Sequence, residues 1–435
     1  MNSIIYRGEL KQRPYWWDTV VAPVPASASL PARVDVAVIG GGITGLCAAR
    51  ALARRGASVA VLEARTIGWG ASSRNGGMVL TGLKLGVGTL IARYGRAMAR
   101  ELFKASIQAI DTVEQLVAVE RMDCQFSRSG HLALASKPSH YRQFERSAQL
   151  LWTEFSHEVC VVPAASLREE IGSDQYHGAL LDPLSAGINP AQYVAGLAHA
   201  AQAAGASLNE AAAVKRIERH APGWRLRVAD AVIQAGDVVV ATSGYTGEVT
   251  GSLQRKVVPI GSYIIVTEPL PGALASELSP RGRMMYDSRH FLHYFRLTPD
   301  CRMLFGGRAR FVPETDATVR ESAAVLQSGM LRAFPQLGDA RVEYAWGGTL
   351  DFAFDTMPHA GQLDGHHFAL GYAGHGVALA TRLGTRLGET LGSDEVRSDP
   401  FARIPFPGAP LGLYWGRPWF LPLVAARYRF LDWVS

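Results

Sequence analysis

Cysteine is scarce in this chain of 435 residues, and its four copies lie far apart. Cys47, Cys124, Cys160 and Cys301 form no CxxC pair. This spacing excludes a disulfide scaffold, a structural zinc site and a dithiol redox centre. We expect all four cysteines to be small buried side chains.

The sequence also lacks any apolar run that is long enough to cross a membrane. No stretch of roughly 18 uncharged apolar residues occurs, and the opening MNSIIYRGELKQRPYWWD has no apolar export core. We therefore expect a cytoplasmic protein without a membrane-spanning helix.

Charge is modest, and no block of consecutive basic residues occurs. Charged residues make up 19% of the chain, the formal net charge is +6, and 48% of the residues are hydrophobic. This composition is typical of a globular protein and does not predict a nucleic-acid-binding arm. The length predicts two or three domains, or one large enzyme in two parts.

The first regular unit that the sequence predicts follows an irregular arm, residues 1–32. It consists of a strand VDVAVIG at 34–40, a helix from 43 to about 55 and a strand SVAVLEA at 58–64. A strand, a glycine turn, a helix and a second strand make a βαβ unit, which implies a parallel sheet.

The turn of this unit carries a dinucleotide-binding pattern, GxGxxG. Gly40 permits the tight turn, Gly42 lets the backbone approach a pyrophosphate, and Gly45 lets the helix pack on the strand. The helix N-terminus adds N–H groups and a partial positive charge. Glu63 ends the second strand, where a carboxylate can accept hydrogen bonds from a ribose diol. A glycine turn needed only for packing would not explain Glu63.

The acidic residue at 63 argues against NADP and leaves NAD or FAD. The next segment, residues 69–77, reads WGASSRNGG. Such small residues let backbone N–H groups approach a flat ring or a diphosphate. Taken alone, the segment is equally compatible with an ordinary flexible loop.

Seven motifs follow one another along the chain: VDVAVIGGGITGL, VLEARTIGWGASSRNGG, SAGINPAQYVAGLAHAAQAAGA, VVVATSGYTG, VVPIGSYIIVTEPL, WGGTLDFAFDTMPHAG and GYAGHGVALAT. With these motifs in this order, the chain resembles the FAD-dependent D-amino-acid-oxidase-like superfamily, and within it the γ-glutamylputrescine oxidoreductase and glycine/sarcosine oxidase group. The resemblance implies an α/β fold in two parts, with a Rossmann-like FAD-binding domain and a substrate domain built on a mixed or antiparallel sheet. It implies FAD-binding segments 33–90, 157–250 and 341–400, substrate-domain segments 91–156 and 251–340, and an aromatic C-terminal tail, 401–435.

The resemblance also implies roles for individual residues. Val214 would meet the adenine, Ser72 to Gly77 would line the inner edge of the flavin, and the loop Gly374–Gly376 would lead into a helix at its pyrimidine end. The residues implied to hold FAD are Gly40, Gly42, Ile43, Thr44, Gly45, Glu63, Ala64, Arg65, Ser72, Asn75, Gly76, Gly77, Val214, Ser243, Gly244, Trp346, Gly374, Gly376 and Val377. The catalytic candidates are His375, Tyr294 and Arg296. His375, if protonated, would stabilise negative charge on reduced flavin; the alternative is a capping or loop histidine.

The attachment of the flavin is expected to depart from that of some relatives. Relatives of the sarcosine-oxidase type hold flavin covalently through a cysteine near the segment that matches WGGTLDFAFDT. Residues 346–362 of this chain contain no cysteine. The resemblance therefore implies FAD bound without a covalent bond.

The reaction that the resemblance implies is oxidation of a C–N bond. A neutral amine or amino acid would pass a hydride to flavin N5, the imine would hydrolyse, and O2 or another acceptor would reoxidise the flavin. One alternative is a dehydrogenase whose tail lies on a membrane surface and which reduces a quinone. Another is a noncatalytic flavin-bearing subunit of an oxidase complex.

The excess positive charge lies in residues 281–310. Seven arginines stand there against Asp287 and Asp300: Arg281, Arg283, Arg289, Arg296, Arg302, Arg308 and Arg310. On the predicted strand 290–298, Leu292, Tyr294 and Arg296 share one face. An arginine beside an aromatic ring suits a carboxylate or phosphonate. We hypothesise that at least one of them binds an anionic end of the substrate; the alternative is that they are solvated.

The sequence lacks the motifs of several other enzyme classes. There is no GxSxG elbow for a serine hydrolase, no second GxGxxG for a disulfide reductase and no Gly-Asp pair in the late loop, as flavin hydroxylases have. His359, Asp364, His366 and His367 lie close together in the sequence, but no HExxH motif supports a metal site. We expect them in a solvated loop.

Overall fold

A computed structural model describes residues 10–20, 29–307, 315–393, 398–424 and 426–427. Its strands are β1 (Arg33–Ile39), β2 (Val59–Leu62), β3 (Met78–Val79), β4 (His131–Leu134), β5 (Cys160–Pro163), β6 (Gly178–Asp182), β7 (Ala186–Gly187), β8 (Ser207–Asn209), β9 (Val214–His220), β10 (Gly223–Val228), β11 (Ala231–Val240), β12 (Val257–Thr267), β13 (Met284–Asp287), β14 (His293–Leu297), β15 (Met303–Gly307), β16 (Val342–Ala353), β17 (His359–Leu363) and β18 (His366–Leu370). Its α-helices are α1 (Ile43–Arg54), α2 (Ala71–Arg74), α3 (Val87–Val119), α4 (Pro138–Phe155), α5 (Pro190–Ala203), α6 (Gly251–Gln254), α7 (Gly272–Leu278), α8 (Asp316–Ala333), α9 (Gly376–Thr390) and α10 (Pro400–Arg403).

The first large sheet has a parallel centre, as the βαβ unit predicts. Its main order is β17-β18-β11-β1-β2-β8, and β10 and β9 continue from β11. β1 pairs in parallel with β11 and with β2. The residues of β2 are buried, which is typical of a parallel strand that is covered on both faces.

The second large sheet is mixed. Its order is β16-β12-β15-β14-β13-β4-β6-β5, and β13 pairs with β4 in parallel while the other neighbours are antiparallel. α8 packs on this sheet through an apolar cluster that includes Val319, Leu326 and Met330. The predicted two-part α/β fold, with a Rossmann-like sheet and a mixed second sheet, is therefore confirmed.

The helices that cover one face of the first sheet share a single apolar core. Side chains of α1, α3, α5 and α9 pack together in it, with Leu46, Leu102, Leu197 and Leu383 all buried. This core holds the N-termini of α1 and α9 in fixed positions relative to the sheet.

Some segments differ from what the sequence predicts. β5 and β6 pair in the second sheet, although residues 157–250 were assigned to the FAD-binding part. Cys47 and Cys124 are buried as expected, but Cys160 is exposed and Cys301 is partly exposed, so burial of all four cysteines was wrong. Cys160 lies on β5, the last strand in the order of its sheet, where one side stays open to solvent.

No helix in the described part of the chain is long and apolar enough to cross a membrane.

Candidate functional site

A cavity of about 700 Å³ lies between the two sheets. Its lining includes the turn after β1, the end of β2, the segment 69–76, the start of α9, and side chains of β12, β13, β14 and β16. The cavity therefore brings together regions that are far apart in the sequence.

The glycine turn forms one end of the cavity, and two of its glycines cannot be replaced without a clash. Gly40 has φ +107°, and a Cβ there would lie 2.6 Å from the carbonyl oxygen of Ala241. A Cβ on Gly45 would lie 2.0 Å from the carbonyl oxygen of Gly40. The backbone of this turn thus packs against the residue after β11, which neighbours β1 in the sheet, and against its own helix. Its outer side is left open to the cavity.

Glu63 lies beside this turn in a fixed orientation. Its Oε2 accepts a hydrogen bond from the N–H of Gly41 at 2.8 Å, and its Oε1 accepts one from the N–H of Arg65 at 2.9 Å. Each carboxylate oxygen has further acceptor capacity. The carboxylate is therefore positioned at the cavity and able to accept hydrogen bonds from a diol.

Three indole N–H groups hold the end of α2 and the residue that follows it. Trp16 Nε1 donates to the carbonyl oxygen of Asn75, and Trp346 Nε1 donates to that of Arg74, both at 2.9 Å. Trp17 Nε1 donates to the hydroxyl of Ser73 at 2.9 Å. These bonds fix the path of the glycine-rich segment, so it is not an ordinary flexible loop.

Arg296 supports the same segment and does not reach the cavity. Its Nη1 donates to the carbonyl oxygens of Gly77 at 3.0 Å and Ile188 at 3.1 Å, and its Nε donates to that of Leu297 at 3.2 Å. The side chain is buried, and burial lowers the pKa of Arg296 to about 10, so it stays charged at neutral pH. The sequence-based expectation that Arg296 contacts substrate is corrected: its Nε and Nη1 groups donate to backbone carbonyls, and the residue lies outside the cavity lining.

The other arginines of 281–310 also lie outside the cavity lining where the structure describes them. Arg283 bonds Glu170 and the carbonyl oxygen of Ser129, and Arg302 bonds Asp300 and Glu343. Arg289 lies 3.6 Å from Asp287, and Arg281 is exposed. Arg308 and Arg310 lie outside the described residues. The described arginines therefore do not support the hypothesis of an arginine grip on the substrate.

The far end of the cavity is formed by the loop before α9. His375 is the N-cap residue of this helix, and its Nδ1 is buried without a hydrogen-bond partner. Burial, followed by the nearby charge of Lys84, lowers the pKa of His375 to about 3. His375 is thus neutral at working pH, so the condition for stabilising negative charge on reduced flavin, a protonated imidazole, is not met. Its position agrees with the alternative, a capping histidine, and the N–H groups and dipole of the α9 N-terminus supply positive potential there beside Lys84.

Asp351 braces the same loop from β16. Its carboxylate accepts hydrogen bonds from the N–H groups of Gly371 at 2.6 Å and Tyr372 at 3.2 Å. Burial raises the pKa of Asp351 to about 6, in spite of these bonds. Tyr372 in turn shares a hydrogen bond of 2.8 Å with Thr44 on α1, so the two helix N-termini are linked through one loop.

The side of the cavity that faces the second sheet carries hydroxyl groups. Tyr294 and Ser262 share a hydrogen bond of 3.1 Å, and both line the cavity. Tyr286 also lines it, and its ring stacks on His131, whose Nε2 lies 3.3 Å from the phenol oxygen. Burial lowers the pKa of His131 to about 4, so the imidazole is neutral.

A buried polar chain continues from His131 away from the cavity. Its Nδ1 lies 2.8 Å from the hydroxyl of Ser185, and Ser185 accepts a hydrogen bond from the N–H of Thr81 at 2.9 Å. The hydroxyl of Thr81 donates to Asp182 at 2.5 Å, and His157 bonds the same carboxylate oxygen at 2.7 Å. This network fixes the orientation of His131 and thereby of Tyr286.

These features fit a bound dinucleotide whose one end is a planar ring. Two helix N-termini and a glycine turn face a single cavity, a fixed carboxylate lies near the turn, and an orphaned imidazole nitrogen lies at the other end. Apolar side chains complete the lining, as is typical of cofactor sites.

Comparison with known proteins decides the family. Residues 35–390 match the family described as FAD dependent oxidoreductase. This chain belongs to that family.

Curated relatives of this FAD-dependent oxidoreductase align over most of both chains. The γ-glutamylputrescine oxidoreductase of Escherichia coli is 33% identical over 401 residues, which cover 92% of each chain. The probable oxidoreductase OrdL of Haemophilus influenzae is 31% identical over 422 residues, again 92% of each chain. The predicted family and its cofactor, FAD, are confirmed.

Among solved structures, the glycine oxidase of Geobacillus kaustophilus superposes with a TM-score of 0.70 at 22% identity, covering 87% of this chain and 100% of that one. The L-proline dehydrogenase of P. horikoshii superposes with a TM-score of 0.68 at 21% identity, covering 86% of this chain and 98% of that one. At this identity the similarity shows the fold.

Most of the site residues that were expected from the sequence line the cavity, and five lie outside its lining. Those that line the cavity are Gly40, Gly42, Ile43, Thr44, Glu63, Ala64, Arg65, Ser72, Asn75, Gly76, Val214, Ser243, Tyr294, Gly374, His375, Gly376 and Val377. Those outside the lining are Gly45, Gly77, Gly244, Arg296 and Trp346. The latter group packs directly behind the lining: Gly244, for example, would place a Cβ 2.8 Å from the carbonyl oxygen of Leu350.

Several residues of the site were not found from the sequence. Lys84, Tyr286 and Asp351 line the cavity, and Trp16 and Trp17 support it from the N-terminal arm. Only the tryptophan pair had a signal, since two adjacent indoles in a Pro-rich arm are costly to leave exposed.

The histidines of 359–367 do not converge. His359 lies 3.0 Å from Asp355 and stacks on Phe406, while His366 packs against Trp224. Within the described ranges, no group of three or more His, Cys, Asp or Glu side chains is arranged to hold a metal ion.

Proposed function

We propose that this flavoprotein oxidises the C–N bond of a small amine or amino acid that carries an anionic group, and that O2 reoxidises the flavin to give H2O2. The observation that carries the proposal is the cavity itself, where Lys84 and the neutral His375 lie at the same end. The similarity to γ-glutamylputrescine oxidoreductase over 92% of each chain supports a C–N substrate.

Lys84 supplies the positive charge that would attract the anionic group. Its charge acts on the cavity, because it lowers the pKa of His375. Among the described residues the other cations of the lining, Arg65 and Arg74, lie against the indole ring of Trp69, 4.0 and 4.4 Å from its centroid. Arg74 also donates to the backbone carbonyls of Trp69 and Gly347. Lys84 is the cation of the lining whose charge acts on His375.

The same charge would help to deprotonate the substrate. A cation near the amine disfavours a second positive charge, just as it does at His375, and burial acts in the same direction. The substrate would then react as a neutral amine without an obligatory protein base. Hydroxyl groups of Tyr286, Tyr294 and Ser262 would orient it and replace water.

Bound FAD supplies the chemistry that the protein lacks, by accepting a hydride from the carbon next to nitrogen. The residues of this chain would hold its two ends: Glu63 and the glycine turn the adenosine diphosphate part, and the α9 N-terminus the ring. The division of the chain into an FAD-binding part and a substrate part remains our proposal, with α3 moved to the FAD-binding part and 160–182 moved to the substrate part.

An anaerobic test distinguishes this proposal from its alternatives. Holoprotein is mixed with glycine, sarcosine and γ-glutamyl-amines, and the visible flavin absorption is followed. At least one amine with an anionic group should bleach the flavin, and O2 should restore the colour with formation of H2O2. If dithionite bleaches the flavin and no amine does, the protein is a noncatalytic flavin carrier. If a quinone restores the colour and O2 does not, it is a dehydrogenase.

We also retain the proposal of a cytoplasmic location. Fractionation of cells tests it: activity should be found in the cytosolic fraction, or be released into it when the membrane fraction is washed with salt.

A further inference from the structure

The C-terminal segment carries a concentration of exposed apolar side chains. Among the described residues, twelve large hydrophobic side chains are exposed, and five of them lie within residues 411–423. These five, with two exposed arginines of the same segment, are here called the tail surface: Leu411, Leu413, Trp415, Trp419, Leu423, Arg417 and Arg427. Trp415 is 70% exposed and Leu411 is 91% exposed, which is unusual for residues of this size.

The segment that bears the tail surface is attached to the body of the protein. Tyr414 and Leu421 are buried in a cluster with Val258 and Phe352. The hydroxyl of Tyr414 donates to the carbonyl oxygen of Val257 at 2.8 Å. The exposed side chains therefore alternate with buried neighbours and are held on the outside of the second sheet.

A hydrogen bond also joins two residues of the tail surface, Leu413 and Trp419. Trp419 Nε1 donates to the carbonyl oxygen of Leu413 at 3.1 Å. This bond brings an exposed indole next to an exposed leucine and closes the segment into a compact turn.

The tail surface lies close to the opening of the cavity. A Cβ on Gly416 would lie 2.5 Å from the side chain of Gln254, the last residue of α6. A few residues earlier, Val249 lines the cavity and is 37% exposed, and Tyr245 lines it and is 39% exposed. Tyr414 of the tail also packs in one cluster with Ala373 and Leu350, which line the cavity.

The charge of this segment has one sign. Residues 400–427 contain no Asp or Glu. Arg403 bonds Glu101, whereas Arg417 and Arg427 are exposed. Tryptophan, leucine and arginine without acidic residues are typical of segments that lie at a membrane surface with anionic lipids.

A second copy of this chain is a poorer occupant. In a two-fold symmetric dimer the same patch faces itself. Arg417 and Arg427 would then face the arginines of the other copy, and no carboxylate of the segment could pair with them.

We propose that the tail surface docks on the surface of a bilayer that contains anionic phospholipid, with the cavity opening beside the membrane. The attachment is peripheral and reversible, since only a few side chains enter the interface. It goes beyond the proposed reaction and does not depend on it.

Flotation with lipid vesicles tests the proposal on the full-length holoprotein. The probes are vesicles of phosphatidylcholine alone and of phosphatidylcholine with phosphatidylglycerol. The wild-type protein should float with the anionic vesicles, and binding should weaken as salt is raised. The variant Trp415→Ser/Trp419→Ser should bind at least about tenfold more weakly, and each of Arg417→Gln and Arg427→Gln about fivefold more weakly.

Matched controls lie on α4, where Trp152 is 61% exposed and Arg142 is exposed. Trp152→Ser and Arg142→Gln should bind vesicles like the wild type. The flavin absorption of every variant shows whether the FAD site is intact, so this test is independent of amine turnover. The proposal is overturned if the wild type does not float, or if the controls lose as much binding as the tail variants. It is equally overturned if sedimentation shows a dimer that the Trp415→Ser/Trp419→Ser variant dissociates.

Discussion

At the scale of single residues, the site depends on groups that burial keeps in one protonation state. His375 and His131 are neutral because they are buried, while Lys84 adds the charge of the His375 end. The His375 end of the site therefore combines the charge of Lys84 with a neutral imidazole, and a second neutral imidazole, that of His131, supports the hydroxyl of Tyr286 from behind the lining.

Replacing Lys84 should change substrate preference more than turnover. In Lys84→Met we expect KM for an amine with a carboxylate to rise about tenfold, which corresponds to loss of one charge pair, and kcat to change little. KM for the matching amine without the carboxylate should rise much less, because Lys84 acts on that compound only through the protonation of its amine. Steady-state kinetics measure both, and Lys104→Met, an exposed lysine of α3, is the control. Equal rises for the charged and neutral amines would contradict the role of Lys84.

Burial of His131 predicts a loss of stability in mild acid. Its folded pKa of about 4 lies below the ordinary histidine value of 6.5, so below pH 6.5 the unfolded chain takes up a proton that the folded protein does not. The free energy of unfolding should fall between pH 6.5 and 4, by up to about 3 kcal/mol from this group.

Denaturant unfolding at several pH values measures this loss. His131→Gln should show a shallower dependence on pH over that range. His220→Gln, an exposed histidine of β9, should follow the wild type. A wild-type slope in His131→Gln would mean that His131 is not the group that titrates.

At the scale of elements, the N-terminal arm and the glycine-rich segment form one unit. Trp16 lies 59 positions from Asn75 in the sequence, and Arg296 lies 219 positions from Gly77. The βαβ turn could be predicted because its glycines and Glu63 follow a short local pattern. The contacts of Trp16 and Arg296 with this segment could not be predicted, because local periodicity does not specify which distant segments meet.

The support from the arm predicts weaker FAD binding when an indole N–H is removed. Trp16→Phe and Trp17→Phe should each lose a hydrogen bond of about 1 kcal/mol and raise the Kd for FAD roughly fivefold. Titration of apoprotein with FAD, followed by flavin fluorescence, measures this. Trp152→Phe on α4 is the control and should keep the wild-type Kd; unchanged Kd values in both arm variants would refute the supporting role.

At the scale of the whole molecule, two sheets of different kinds enclose one cavity. The parallel sheet and its helices provide helix N-termini for a dinucleotide, and the mixed sheet provides the side chains opposite it. The βαβ pattern predicted the parallel pairing of β1 and β2 in the first sheet. No such pattern marks the second sheet, where β5 and β6 join from a segment between two parts of the first sheet and carry no motif of their own.

The whole molecule should release its flavin on denaturation. No cysteine is among the cavity-lining residues of the described chain, so a thioether link has no partner there. Acid precipitation should leave all of the yellow colour in the supernatant. Colour that remains with the precipitated protein would show a covalent bond.

The most direct test of the central claim compares one amine with and without its anionic group. The best substrate from the anaerobic screen and its methyl ester are each mixed with holoprotein, and the rate constant of flavin bleaching is divided by the apparent Kd. We predict that this ratio is at least about tenfold higher for the carboxylate, as expected for a charge pair at Lys84. Equal ratios for the two compounds would contradict an anion-selecting amine site.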